Sequence, residues 1–129
     1  MARILIIDDD EPIRRVLSDL LRRAGYDVMQ AGCGRDGLRQ CSSEPFDLVM
    51  TDIVMPDGEG LETIRKMRHD HPAMKIFAMS GAGQTMGLDI LNMAEMFGAV
   101  RTFDKPFHLE EVLTAVRNAV PVTPRATPQ

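Results

Sequence analysis

An α/β fold, with a parallel sheet covered by helices on both faces, is what this sequence predicts, and three observations carry the prediction. Short strand-like segments, some of them continuous apolar runs, alternate five times with segments of helical period. Two of those runs end on acid: Asp8-Asp9-Asp10 directly follows Ile4-Leu5-Ile6-Ile7, and Asp52 closes the run over residues 46–51. The length of 129 residues suits one domain that buries roughly two-thirds of its unfolded surface.

The elements follow in order. Residues 3–7 read as a buried strand. Ile13, Val16, Leu17, Leu20, Leu21 and Ala24 recur at helical spacing, with Pro12 near the start and Gly25 just past the end. Arg14, Arg15, Asp19, Arg22 and Arg23 fall on the other face. Residues 26–31 read as a second strand, 35–42 as a short helix and 46–51 as a third strand. Residues 61–70 form a helix centred on Ile64, Met67 and Arg68. Residues 75–79 give strand four, 88–97 a helix, and 101–103 a brief strand five. Leu109, Val112, Leu113, Val116 and Val120 mark the last helix. Five strands and five helices in alternation need right-handed crossovers. The domain is expected over residues 1–120; residues 121–129, with three prolines and no apolar period, read as a disordered tail.

Composition excludes several functions. An apolar fraction of 44% and a charged fraction of 26% are those of an ordinary soluble globule. The net charge of −4 opposes non-specific nucleic-acid binding. The first apolar run is too short for a signal peptide or membrane span. Cys33 and Cys41 match no zinc spacing and are expected as reduced thiols in the cytoplasm.

Parallel strands gather their C-terminal ends at one edge of a sheet, so the acids after strands one and three belong to one site. Crowded carboxylates repel unless a cation neutralises them, and oxygen-only donors favour Mg²⁺ or Ca²⁺. Part of the acidic run has a simpler use: Asp10 or Glu11 suits the N-terminus of the first helix.

Five features stand in fixed order: Ile-Ile-Asp8-Asp9, Asp52 followed by Met55-Pro56, Gly60, Ser80 closing strand four, and Lys105-Pro106-Phe107 after strand five. Together they resemble the receiver domain of two-component response regulators, of the stand-alone, chemotaxis-regulator-like type, over residues 3–120. The resemblance implies a flavodoxin-like sheet of order 2-1-3-4-5 and a phosphorylation switch rather than an enzyme acting on other molecules. Asp52 is then the phospho-acceptor. Asp9, Asp52 and the Val54 backbone carbonyl ligate Mg²⁺, and Asp8 acts through a bound water. Lys105, preceding a cis peptide in this family, and the Ser80 hydroxyl meet the phosphoryl oxygens. The donor is a histidine kinase or a histidine phosphotransfer protein, met largely through helix one and the neighbouring loops, here Arg14, Arg15, Ile13 and Leu17. The output goes to a downstream protein target, with no direct nucleic-acid or membrane contact. The alternative is a receiver fold that docks without being phosphorylated; the complete acid set with Ser80 and Lys105 opposes it. The short tail favours a natural stand-alone chain over an excised domain.

The chain departs from the family in two places. Thr102 stands where receivers usually carry Tyr or Phe, and strand alternation turns the neighbouring Phe103 to the opposite face. The glycine-rich stretch over residues 81–87 is about three residues longer than receivers usually have. Val54 and Ala82, at the positions flanking the path of the hydrolytic water, carry no side-chain hydrogen-bonding group.

Three other signals are weaker. Gly32-Cys33-Gly34-Arg35-Asp36-Gly37 spells the dinucleotide fingerprint G-x-G-x-x-G, with Asp52 twenty residues after Gly32. It follows the second strand, however, while the first strand's turn carries acids that repel a pyrophosphate. His69 and His71 suit the negative end of a helix better than a metal. Met96, with Asp89 and Asn92, marks the outer face of its helix and a candidate partner surface.

Overall fold

The computed structural model describes residues 2–54, 60–81 and 84–122, with residues 84–90 described through the backbone alone. The chain runs β1 (Arg3–Ile7), α1 (Glu11–Arg23), β2 (Asp27–Ala31), α2 (Gly34–Ser43), β3 (Leu48–Asp52), α3 (Gly60–Asp70), β4 (Lys75–Ser80), α4 (Gln84–Phe97), β5 (Arg101–Asp104) and α5 (Leu109–Ala119). All strand pairs are parallel, in the order β2-β1-β3-β4-β5. Among the described residues no helix is long and apolar enough to cross a membrane.

Strand alternation divides the core. Ile4, Ile6, Leu48, Met50, Phe77, Met79 and Phe103 point to one face, where Leu17 and Leu21 of α1 and Val112 and Val116 of α5 cover them. Leu5, Ile7, Val49, Ile76 and Ala78 point to the other, beneath Cys41, Ile64, Met67, Leu91 and Ala94 of α2, α3 and α4. The inner strands β1, β3 and β4 are mostly apolar because both of their faces are buried, while the edge strands β2 and β5 carry polar residues.

Helix ends follow the local chemistry. Asp10 caps α1 by accepting from the Ile13 N–H at 3.4 Å, and Pro12 lies in the first turn. Gly25 takes a φ of +103° just past the helix, as expected for a glycine stop. His108 flanks α5 without a side-chain capping bond. Past α5, Tyr26 Oη and Lys75 Nζ each donate to a carbonyl, of Val120 and Ala119 respectively, at 2.6 Å.

Most boundaries fall within one or two residues of the sequence reading. The exception is α4, which begins at Gln84 rather than Leu88, so much of the expected long loop is helix. Gly87 lies inside it; a glycine there costs only about 1 kcal/mol, which neighbouring residues can absorb. Met55-Pro56, Ala82, the side chains of Gln84 and Asp89, and residues 123–129 lie outside the described residues.

The fingerprint glycines have packing roles. A Cβ on Gly37 would stand 2.2 Å from Ile7 Cδ1, and one on Gly34 would stand 2.5 Å from Thr63 Oγ1. Hydrogen side chains at these positions let α2 lie close against β1 and α3.

Candidate functional site

The sheet delivers its acids to one edge. Asp8 follows β1 and Asp52 ends β3, and these strands are direct neighbours. Carboxylate oxygens of Asp8, Asp9 and Asp52 lie within 4.8 Å of one another, the one such group of three His, Cys, Asp or Glu side chains among the described residues. Asp8 is wholly buried, Asp52 is 4% exposed, and Asp9 faces solvent.

Lys105 reaches into this group from the loop after β5. Its Nζ donates to Asp8 Oδ2 at 2.7 Å and to Asp52 Oδ2 at 3.2 Å. The Lys105–Pro106 peptide is cis. The Lys105 N–H also donates to the Ser80 carbonyl at 2.7 Å, so the lysine loop is stitched to the end of β4. Ser80 itself is fully buried, one residue past the Met79 that pairs with Asp52.

The remaining oxygens are held by backbone. Asp52 Oδ1 accepts from the Val54 N–H, and Asp8 Oδ1 from the Asp10 N–H, each at 3.0 Å. Gly60 permits this crowding: a Cβ there would stand 2.1 Å from the Ile53 carbonyl oxygen, so α3 starts hard against the residue after Asp52. Val54 is exposed at the rim.

The electrostatics express the crowding. Burial pushes the Asp52 carboxyl above its ordinary range and the negative charge of Asp8 adds to this, against the opposing pull of the Val54 N–H and Lys105. Burial alone would lower the Lys105 ammonium, but its bond to Asp8 and the charges of Asp52 and Asp8 outweigh that and raise it. Three carboxylates gather here, and Lys105 is the one cation paired directly with their oxygens among the described residues, so negative charge is in surplus. An all-oxygen donor set with surplus negative charge fits a hard dication.

All of Asp8, Asp9, Asp52, Ser80 and Lys105 therefore come to one edge, as the sequence reading required. Residues 4–117 match the family described as "Response regulator receiver domain". The chain is a response-regulator receiver domain. It is 31% identical to sporulation initiation phosphotransferase F of Bacillus subtilis, over 93% of this chain and 94% of that one. The response regulator receiver protein CpdR of Brucella abortus is 33% identical over 90% and 94%. The transcriptional regulator NtrC of Azospirillum brasilense is 36% identical, but the chain spans only 24% of its length. Among solved structures, a CheY-like receiver from Methanospirillum hungatei superposes with a TM-score of 0.84 at 30% identity, covering 92% of each chain. A Burkholderia pseudomallei response regulator, solved with a phosphorylated aspartic acid and a calcium ion, gives 0.81 at 28% identity over 92% and 69%. Receivers as a family accept phosphoryl groups, and engage histidine kinases or phosphotransfer proteins and downstream targets.

Other residues fall differently. Thr102 is half-buried and Phe103 lies on the opposite face, its ring 5.6 Å from Phe77 and 6.1 Å from Phe107, so the aromatic position is indeed polar. His69 is exposed beside Asp70. Met96 is 82% exposed, with Met93 and Val100 also open to solvent. Arg14 departs from its expected place on a free face of α1. It is half-buried, with Nη1 donating to the Asp8 carbonyl at 2.6 Å and Nε to Gln30 Oε1 at 3.2 Å. Helical period alone could not reveal that anchor. Its position six residues after Asp8, one turn into the helix that follows the acid loop, is the only hint the sequence holds.

Proposed function

We propose that this receiver is a Mg²⁺-dependent switch in which Asp52 accepts a phosphoryl group from a phosphohistidine of a kinase or phosphotransfer protein. The observation that carries this is the Lys105 ammonium set between Asp8 and Asp52, with Asp9 within ligand distance of both. An Asp52 oxygen attacks phosphorus, a P–O bond forms, and the P–N bond breaks with its electron pair returning to the donor imidazole. Lys105 and the Ser80 hydroxyl bind phosphoryl oxygens, so catalysis is positioning and charge neutralisation within the protein's own phosphorylation and dephosphorylation.

Asp9, Asp52 and the Val54 carbonyl would hold Mg²⁺ directly and Asp8 through water; the ion would supply charge neutralisation at the transferring oxygens. The free thiols Cys33 and Cys41 accord with a cytoplasmic setting. Exposure of Met93, Met96 and Val100 supports a protein target that meets α4 and β5.

Acetyl phosphate tests the reading without a protein donor. The chain should gain one phosphoryl mass with Mg²⁺ present, and neither chelator-treated protein nor Asp52→Asn should gain it. Full labelling of Asp52→Asn would remove the assignment. Absence of labelling in the native chain would favour a docking-only receiver.

A further inference from the structure

We propose that Arg14 is a positioning residue for the metal-binding acids, acting through the peptide that joins Asp8 to Asp9. The inference rests on the reading that this cluster takes Mg²⁺. Arg14 stands in the first part of α1 and ties two elements together. Nη1 donates to the Asp8 main-chain oxygen at 2.6 Å and Nε to Gln30 Oε1 on β2 at 3.2 Å. Gln30 lies on β2, and its main-chain carbonyl accepts from Gln40 Nε2 at 2.9 Å, so the backbone that carries the Oε1 acceptor is held by both the sheet and α2. The guanidinium is thus a brace between the sheet and the acid loop.

The braced oxygen belongs to the peptide that leads directly into Asp9. Every other part of Asp8 is already held: its N–H donates to the Ala31 carbonyl at 3.1 Å, and its carboxylate accepts from the Asp10 N–H and Lys105. Asp9 is exposed, so the orientation of its carboxylate toward Asp8 and Asp52 depends on the peptide behind it. Releasing the Arg14 bond frees that peptide to rotate and carries Asp9 out of ligand distance. Arginine suits the task because its planar fork satisfies two acceptors at once, whereas a lysine ammonium on a flexible stem does not.

Sign separates positioning from charge. A guanidinium beside a dication repels it, so charge alone predicts tighter Mg²⁺ binding once Arg14 is removed. Positioning predicts the reverse. A docking role predicts no change in metal affinity and a loss confined to transfer from a protein donor.

The experiment is calorimetric titration of Mg²⁺ into the full chain, with unfolding in chelator as a second readout. Arg14→Met should weaken Mg²⁺ binding about tenfold or more, the usual scale for an outer-shell partner. Its metal-free unfolding midpoint should stay near native, and acetyl-phosphate labelling should recover at saturating Mg²⁺. Arg14→Lys keeps the charge and should be weakened nearly as much. Gln30→Leu removes one anchor only and should show a smaller loss. Equal or tighter binding in Arg14→Met overturns the proposal, as does a metal-free midpoint that falls in step with affinity. If Arg14→Met does not fold, unchanged affinity in Gln30→Leu overturns it instead. Failure of the native chain to bind Mg²⁺ would sink the functional reading itself, whereas native binding with indifferent variants sinks only this inference.

Discussion

Lys105 donates to Asp8 at 2.7 Å across 97 residues of chain, and this ion pair, shorter than the one to Asp52, ties the loop after β5 to the end of β1. Asp8 is wholly buried, so its charge needs a partner. Asp52 is held at the longer distance of 3.2 Å by the same ammonium.

Removing that ammonium should therefore cost stability before it costs function. Lys105→Met leaves two buried carboxylates without their cation and should lower the metal-free stability by about 3 kcal/mol at pH 7, the lower end for breaking a buried pair. The lysine is raised in the folded state, so its contribution is complete below the ordinary lysine value and is lost as pH rises through the folded one. Urea unfolding of both proteins in chelator should show the gap at pH 7 and its closure in strong alkali. Equal midpoints at pH 7 would mean that the pair is energetically idle.

Asp52→Asn should move stability the other way. The Asp52 carboxyl is raised chiefly by burial, so the folded state gains most when it is protonated and loses that gain as pH climbs through the raised value. At pH 7 the ionised group is a burden that asparagine lacks; the amide oxygen still accepts from the Val54 N–H, while the amide nitrogen that replaces Oδ2 cannot accept from Lys105, whose shorter bond to Asp8 remains. The variant should be more stable than the native chain by about 1 kcal/mol without metal, a trade of stability for function. The advantage should shrink as pH falls into the carboxylate range. A lower midpoint at pH 7 would show that the attraction to Lys105 outweighs burial.

Much of this site was legible because acid at the end of a buried strand is costly and calls for a reason. Asp8 and Asp52 satisfy that test, and Asp9, Ser80 and Lys105 complete a set that chance would rarely arrange in this order at the ends of the strands. Arg14 was not legible, because helical period assigns a face but not the backbone oxygen that waits beside it. The start of α4 was misplaced because a run with three glycines reads as loop, although one of them is carried inside the helix. Gly32, Gly34 and Gly37 look like a phosphate cradle on paper; only the approach distances show Gly34 and Gly37 accommodating Thr63 and Ile7.

Those distances make a prediction of their own. Gly37→Ala drives a methyl group to 2.2 Å from Ile7 Cδ1, an overpacking that should destabilise the fold by about 1–3 kcal/mol. Ile7→Val deletes that atom, so the double variant should recover part of the loss even though Ile7→Val alone costs about 1 kcal/mol. Strict additivity of the two in urea unfolding would show that the contact is relieved elsewhere. No dinucleotide should bind in any of these proteins.

Signal lifetime depends on the rim of the site. Hydrolysis of phospho-Asp52 needs a water aligned opposite the carboxylate oxygen, and a polar side chain near its path helps to hold it. Val54 stands at that rim, 41% exposed, with its N–H already committed to Asp52 Oδ1. Its isopropyl group offers no hydrogen bond, so the water is left unoriented and phosphoryl loss should be slow by receiver standards. Val54→Asn supplies both a donor and an acceptor there and should speed loss by about tenfold or less, well within what alignment can contribute. Gln84 opens α4 and is the nearby side chain in sequence with the chemistry to do the same. Phosphoryl loss followed by intact mass in Mg²⁺ buffer, for the native chain, Val54→Asn and Gln84→Ala, separates the two. The expected order is slow for native and Gln84→Ala, faster for Val54→Asn. Rapid native loss that collapses in Gln84→Ala would instead make Gln84 the residue that holds the water.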